Sequence, residues 1–222
     1  MSKLYHINEV FYSPQGEGAR QGSMNVFLRF AGCNLQCSVH KEGFNCDTDF
    51  RFGDKLTAQQ VVERVLQADT SANGCGWVIA TGGEPALQLD EELVRALGEA
   101  GYLIALETNG TMPIPPGVVW VSCSPKPMSP VVIKQANEVR VVVWPGKFPD
   151  DHGIEAPHYF VSPAFEAPSM EEQDTYRSEI GKAWNGDGNT IDRDAVAWAV
   201  KYCEQNPKWK LSLQIHKLIG VR

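Results

Sequence analysis

Residues 77–110 read WVIATGGEPALQLDEELVRALGEAGYLIALETNG. The stretch opens on a β-branched run at 77–81 and closes on another at 102–107, while Asp90 caps a helical segment that ends before Gly101. Strand, helix and strand in that order predict a parallel pair joined by a right-handed crossover. Outward from this unit, further buried strands are predicted at 25–30, 118–123, 138–143, 159–162 and 210–215. Two more helices are predicted, one capped by Thr57 and running to about Ala68, the other from about Ile191 to Glu204, stopped by Pro207. The gaps at 107–118 and 143–158 are too short and Pro-rich for full helices. The expected architecture is α/β, a single domain over 1–222 forming a partial, helix-depleted (β/α) barrel. The polar stretch 166–189, with Gly186, Asp187 and Gly188, reads as a surface insertion.

At 222 residues, 43% hydrophobic and 21% charged, the chain can bury a sizeable core and lacks the composition of a disordered one. No apolar run approaches the roughly 18–20 residues that cross a bilayer. The start, MSKLYHINEVFYS, lacks the basic and apolar blocks of a signal peptide, so a cytoplasmic protein without a membrane partner is expected. Twenty basic against 27 acidic residues give a net charge of −7. Phosphate backbones need clustered Lys and Arg, so no nucleic acid partner is expected and a small molecule is favoured.

Directly after the strand ending at Phe30, residues 31–50 read AGCNLQCSVHKEGFNCDTDF. Cys33, Cys37 and Cys46 crowd into this loop, whereas Cys75, Cys123 and Cys203 are scattered and read as small apolar core groups. In a reducing compartment the tight group points to a metal or redox centre. Three thiolates can hold three irons of a 4Fe-4S cluster and leave the fourth open to a ligand, which suits catalysis better than electron carriage. Cys33, Cys37, His40 and Cys46 could also form a tetrahedral zinc site, and the loop alone leaves both readings standing.

Three more motifs each follow a predicted strand: TGGEP at 81–85, ETNG at 107–110 and SPK at 124–126. Parallel α/β folds bind ligands at these carboxyl ends. Gly82 and Gly83 let a ligand approach the backbone, and Pro85 fixes the turn. With the cysteine loop, they resemble the radical S-adenosylmethionine enzymes, where a cysteine loop after the first barrel strand holds the cluster and a GGE motif binds the methionyl amine. YSPQGEG at 12–18, RFAGC at 29–33, CDT at 46–48, ETNGT at 107–111 and LQIHK at 213–217 narrow the resemblance. From Glu9 to Arg222 the chain is similar to the 7-carboxy-7-deazaguanine synthase family of queuosine and 7-deazapurine biosynthesis.

The resemblance implies a barrel of the radical S-adenosylmethionine type and a carbon–nitrogen lyase. Such an enzyme contracts 6-carboxy-5,6,7,8-tetrahydropterin to 7-carboxy-7-deazaguanine with loss of ammonia. It implies a 4Fe-4S cluster on Cys33, Cys37 and Cys46, S-adenosylmethionine, and Mg2+ on Thr48. Cofactor contacts carry over to Asn45, Cys46, Asp47, Gly83, Glu84, Glu107, Ser124, Pro125, Lys126 and Ser162. Substrate contacts carry over to Pro14, Gln15, Gly16, Glu17, Arg29, Thr81, His216 and Arg222. Gln15 and Glu17 suit an amide-rich ring edge, and Arg29 offers bidentate geometry to a carboxylate. An electron donor such as flavodoxin or ferredoxin and a homodimer are implied as partners. The family pattern is Cys-x3-Cys-x2-Cys followed by Asp-Thr, whereas here His40 stands three residues after Cys37 and Cys46-Asp47-Thr48 follows later. Cys46 is taken as the third ligand because Asp47-Thr48 travels with it and because imidazole tends to raise a cluster's potential. Two alternatives remain: a glycyl-radical activating enzyme, disfavoured by QGEG and QIHK, and a zinc-stabilised binding module.

Overall fold

The structure is a computed structural model that describes residues 3–35, 37–38, 46, 48, 50–166 and 190–221. Its strands are β1 (Tyr5–Pro14), β2 (Met24–Phe30), β3 (Asp54–Leu56), β4 (Trp77–Gly82), β5 (Leu103–Thr108), β6 (Trp120–Cys123), β7 (Glu138–Val143), β8 (His158–Pro163), β9 (Phe165–Glu166), β10 (Thr190–Ile191) and β11 (Trp209–Leu211). The helices are α1 (Ala58–Ala68), α2 (Glu91–Glu99), α3 (Arg193–Gln205) and the short α4 (Ile215–Ile219).

Nine of the described strands form one sheet in the order β11-β8-β7-β6-β5-β4-β2-β1-β3. From β2 to β11 every neighbouring pair is parallel. Because each parallel strand lies beside its predecessor in the chain, the sheet winds one way with no topological switch point, as in a barrel and unlike a doubly wound fold. The edge strands β1 and β3 are antiparallel additions. The expected helix-depleted barrel is therefore observed: no helix among the described residues separates β5 from β6, β6 from β7, or β7 from β8.

The two faces of the sheet differ in chemistry because side chains alternate along a strand. Val26, Leu28, Phe30, Val78, Ala80, Ile104 and Leu106 pack one apolar layer with Val61 and Val65 of α1 and Leu93 and Leu97 of α2. Val121, Cys123, Val139, Val141 and Val161 pack a second layer with Ala199 of α3. Full burial of a side chain such as Leu28 or Phe30 contributes about 1.5–3 kcal/mol. The alternate residues Asn25, Arg29, Thr81, Glu107, Ser122, Glu138, Arg140 and Ser162 line the opposite, polar face.

Local signals explain the helix starts. Thr57 and Gln60 form a reciprocal capping box on α1, and Asp90 accepts from Leu93 N at the start of α2. Asp192 caps α3 at the position where the helix is predicted to begin. The predicted strand 210–215 is shorter: its last sheet bond is Ser212 N to Val161 O, and Ile215 opens α4, its N–H donating to Gly16 O. β1 and β3 are additions to the predicted set. Residues 167–189 of the predicted insertion lie outside the described residues, and β9 and β10 pair antiparallel at its two ends. No helix among the described residues is long and apolar enough to cross a membrane.

Candidate active site

At the carboxyl end of β4, Gly82 and Gly83 let the TGGEP turn touch the start of the cysteine loop. Gly82 has φ +121° and a Cβ there would overlap Phe30 O, while a Cβ on Gly83 would overlap Gly32 O. Backbone hydrogen bonds run from Gly83 N to Phe30 O, 3.2 Å, and from Glu84 N to Gly32 O, 2.9 Å.

Glu84 is fully buried. Its Oε1 accepts from Ala86 N at 3.0 Å and Thr108 Oγ1 at 2.9 Å, and its Oε2 from Asn109 N at 2.7 Å. Burial pushes its pKa up against the pull of those hydrogen bonds and of Lys126. With its oxygens so engaged, Glu84 couples the TGGEP and ETNGT turns. Asn34 of the cysteine loop donates to Thr111 Oγ1 at 2.7 Å and accepts from Asn109 Nδ2 at 3.1 Å. Ser124 N donates to Thr108 O, and Lys126 Nζ donates to Ser124 O and Oγ at 2.9 and 2.8 Å. Four motifs scattered through the sequence thus meet at one end of the sheet.

Burial raises the pKa of the Cys33 thiol, a rise that Glu84 adds to and Lys126 opposes. Leu35 N donates to Cys33 Sγ at 3.4 Å, and Cys46 Sγ donates to Thr48 O at 3.5 Å. Among the described residues no three His, Cys, Asp or Glu side chains are grouped to hold a metal ion, these cysteines included. Asn45, Asp47 and His40 lie outside the described residues, as does Arg222. Of the scattered thiols, Cys123 is fully buried with its pKa pushed up to about 12, whereas Cys75 and Cys203 are partly buried against the two apolar layers.

The QGEG segment lies across the polar face. Gln15 Nε2 donates to Glu107 Oε1 at 3.0 Å, and Gln15 Oε1 accepts from Glu17 N at 3.2 Å. Glu17 Oε2 pairs with Arg140 Nη1 at 2.6 Å. Arg140 Nη2 pairs with Glu107 Oε2, and its Nε lies 3.3 Å from Glu138 Oε1. This last is an ionic contact without hydrogen-bond alignment, since Nε has no hydrogen-bond partner among the described residues. Glu138 also accepts from Ser122 Oγ at 2.9 Å and Ala19 N at 2.8 Å. Gly18 N donates to Ser212 Oγ, and Gly16 sits against the His216 imidazole, so the loop bridges both ends of the chain. Arg20 stacks 3.6 Å over the Trp77 ring and donates to Asn25 Oδ1.

Of the predicted site residues, Gln15, Glu17 and Glu107 share this network, Gly16 meets His216, and Arg29 stands in register with Thr81 on the adjacent strand. Arg29 Nε pairs with Glu9 Oε1 at 2.8 Å, both side chains 22% exposed. Pro14 closes β1, ahead of the loop. Ser162 Oγ is buried and has no hydrogen-bond partner among the described residues. Sequence reasoning missed Glu138 and Arg140. The signal was present in EVRVVV, where two charges two residues apart in an apolar strand must share a face.

By its chemistry the donor set, three thiols in the segment after β2, suits an iron–sulfur centre with one open iron, and the start of that segment at Gly32 is hydrogen-bonded to the TGGEP turn, but the described residues do not bring the three thiols together. The Ser162 hydroxyl, buried and without a hydrogen-bond partner among the described residues, fits a polar organic ligand. A one-way parallel barrel with such a loop defines an iron–sulfur α/β protein, and residues 14–110 match the family model described as a 4Fe-4S single cluster domain. The chain is 37% identical to the 7-carboxy-7-deazaguanine synthase of Bordetella pertussis over 228 residues, 98% of this chain and 99% of that one. It is also 37% identical to the 7-carboxy-7-deazaguanine synthase of Bacteroides thetaiotaomicron over 216 residues, 97% and 98% of the two chains. This chain belongs to the 7-carboxy-7-deazaguanine synthase family. The crystal structure of QueE from Escherichia coli matches it with a TM-score of 0.64 over 95% of this chain and 93% of that one, at 21% identity, a likeness of fold.

Proposed function

We propose that this protein is a radical S-adenosylmethionine lyase that converts 6-carboxy-5,6,7,8-tetrahydropterin to 7-carboxy-7-deazaguanine with loss of ammonia, for queuosine or another 7-deazapurine product. The observation that carries the proposal is the Gln15–Glu17 segment laid across the polar face of a chain of this family. When bound, the cluster and S-adenosylmethionine supply one-electron reductive cleavage and hydrogen-atom abstraction. The protein's own task is placement and exclusion of water.

Cys33, Cys37 and Cys46 are the proposed cluster ligands. Asn45, Asp47, Gly83, Ser124, Pro125, Lys126 and Ser162 are the proposed cofactor contacts. Glu84 serves that side by fixing the turn that presents Gly83. Both oxygens of Glu107 are engaged by Gln15 and Arg140, so a ribose contact there would compete with those bonds. Gln15 and Glu17 face the amide edge of the ring. Arg29 takes the substrate carboxylate, oriented by Glu9, with Thr81 beside it and His216 and Arg222 completing the pocket. Thr48 is the proposed Mg2+ ligand, through an oxygen shell of hydroxyl, carboxylate and water. A flavodoxin or ferredoxin as electron donor, a homodimer and a cytoplasmic location belong to the same proposal, as does one domain over 1–222.

The test is anaerobic reconstitution of the untagged chain with iron and sulfide, followed by carboxypterin, S-adenosylmethionine and a reductant. A visible charge-transfer band and mass-spectrometric detection of the deazaguanine acid are expected. A colourless protein holding zinc, or an iron–sulfur protein that leaves the pterin unchanged, would overturn the proposal.

A further inference from the structure

The polar face holds a deeply buried cation, Arg140, that the sequence motifs leave without a role. Arg140 is 5% exposed and reaches three carboxylates at once: Glu17 through Nη1, Glu107 through Nη2 and Glu138 beside Nε. A guanidinium presents its donors in a rigid planar fork, so the carboxylates it pairs are fixed relative to one another as well as to the arginine. Without the cation, Glu17, Glu107 and Glu138 would repel one another in a poorly solvated space. Among the described residues Arg20 also faces this group: it acts on Glu138 and is itself held by Trp77 and Asn25. It has no ion pair with Glu17 or Glu107 and cannot substitute for Arg140 there.

We propose that Arg140 is a positioning residue for substrate recognition, acting through Glu17 and, by way of Glu107, through Gln15. Its fork sets the carboxylate of Glu17 and the amide of Gln15 as a preformed edge for the donors and acceptors of a planar, amide-rich heterocycle. The role rests on the synthase reading above. A lysine is a poor replacement, because one compact ammonium cannot hold Glu17 and Glu107 in a fixed mutual geometry.

The test compares the untagged holoenzyme with Arg140→Lys, Glu17→Gln and the double variant. It follows turnover against each substrate, equilibrium binding of the carboxypterin by tryptophan fluorescence, and S-adenosylmethionine cleavage without pterin. Arg140→Lys is expected to raise the pterin KM and Kd by about tenfold or more while leaving the S-adenosylmethionine KM and the uncoupled cleavage unchanged. In the Glu17→Gln background the same change is expected to add no more than about twofold, since coupled residues are not additive. If circular dichroism shows Arg140→Lys to be poorly folded, Glu107→Gln replaces it. That variant keeps the arginine and severs its link to Gln15, and its readout is the pterin Kd measured without S-adenosylmethionine, which is expected to rise. Losses that multiply independently, an unchanged pterin Kd, or an equal loss for both substrates would overturn the role. A wild-type protein that neither binds nor converts the pterin would instead remove the synthase reading itself.

Discussion

A methyl group at Gly16 would overlap Nδ1 of His216, and one at Gly18, whose φ is +70°, would overlap the Glu138 carboxylate. The left-handed backbone alone costs a non-glycine residue about 1–2 kcal/mol, and the overlap adds to it. Gly18→Ala is therefore expected to lower Tm by about 2–4 °C for each kcal/mol lost and to abolish most pterin turnover. Thermal melts alongside assays check this, and an alanine variant with native turnover would show the loop to be dispensable. The choice of Cys46 over His40 as third cluster ligand is also decided at single residues. Cys46→Ala is expected to lose the cluster's iron and visible absorbance after anaerobic reconstitution, and His40→Ala to keep both; the reverse result would reassign the ligand.

Asp69, just past the end of α1, shows how an element is tied to its neighbours. Its carboxylate accepts from Ser71 N and Oγ, from Cys75 N at 2.9 Å and from the Tyr102 hydroxyl at 2.9 Å, joining α1 to the segments that lead into β4 and β5. Burial pushes its pKa up, but those hydrogen bonds outweigh it and hold the group well below the ordinary value of 3.8. A carboxylate lowered in the folded state stabilises above its unfolded pKa and loses that stabilisation as pH falls toward its folded one. Asp69→Asn is expected to cost about 1–3 kcal/mol at neutral pH, with the gap to wild type narrowing as pH drops below about 4. Urea melts at several pH values measure this, and a gap that widens in acid would contradict it. The parallel strands and the three longer helices were legible because apolar periodicity and caps such as Thr57 and Asp90 are local signals. β1 was not, because the irregular register between Ile7 and Glu9 breaks its alternation, and β3 is too short to show a pattern. The four motif segments were legible as following the carboxyl ends of strands, where the structure brings them together. The inner network was not, because Glu17 and Arg140 meet across 123 residues of chain.

On the scale of the whole molecule, the three longer helices cover one face of the sheet and leave the other to the polar network, the loop from Gln15 to Ser23 and the short α4 beside it. The outer layers do not depend on the tail: neither apolar cluster contains a residue beyond Leu211. Truncation after Leu211 is thus expected to leave a cooperative thermal transition and native far-ultraviolet dichroism while eliminating pterin binding, since Ser212, Ile215 and His216 disappear with the tail. Dichroism and fluorescence titration of the truncated chain check this, and retained pterin affinity would place recognition elsewhere.

The contact between Gly18 and Ser212 spans 194 residues and so binds chemistry to biosynthesis. A nascent polypeptide still threading the ribosomal tunnel can collapse its early hairpin, yet it lacks the residues that clasp that hairpin into working shape. The clasp on that loop therefore closes only after every strand of the parallel sheet beneath it has been made.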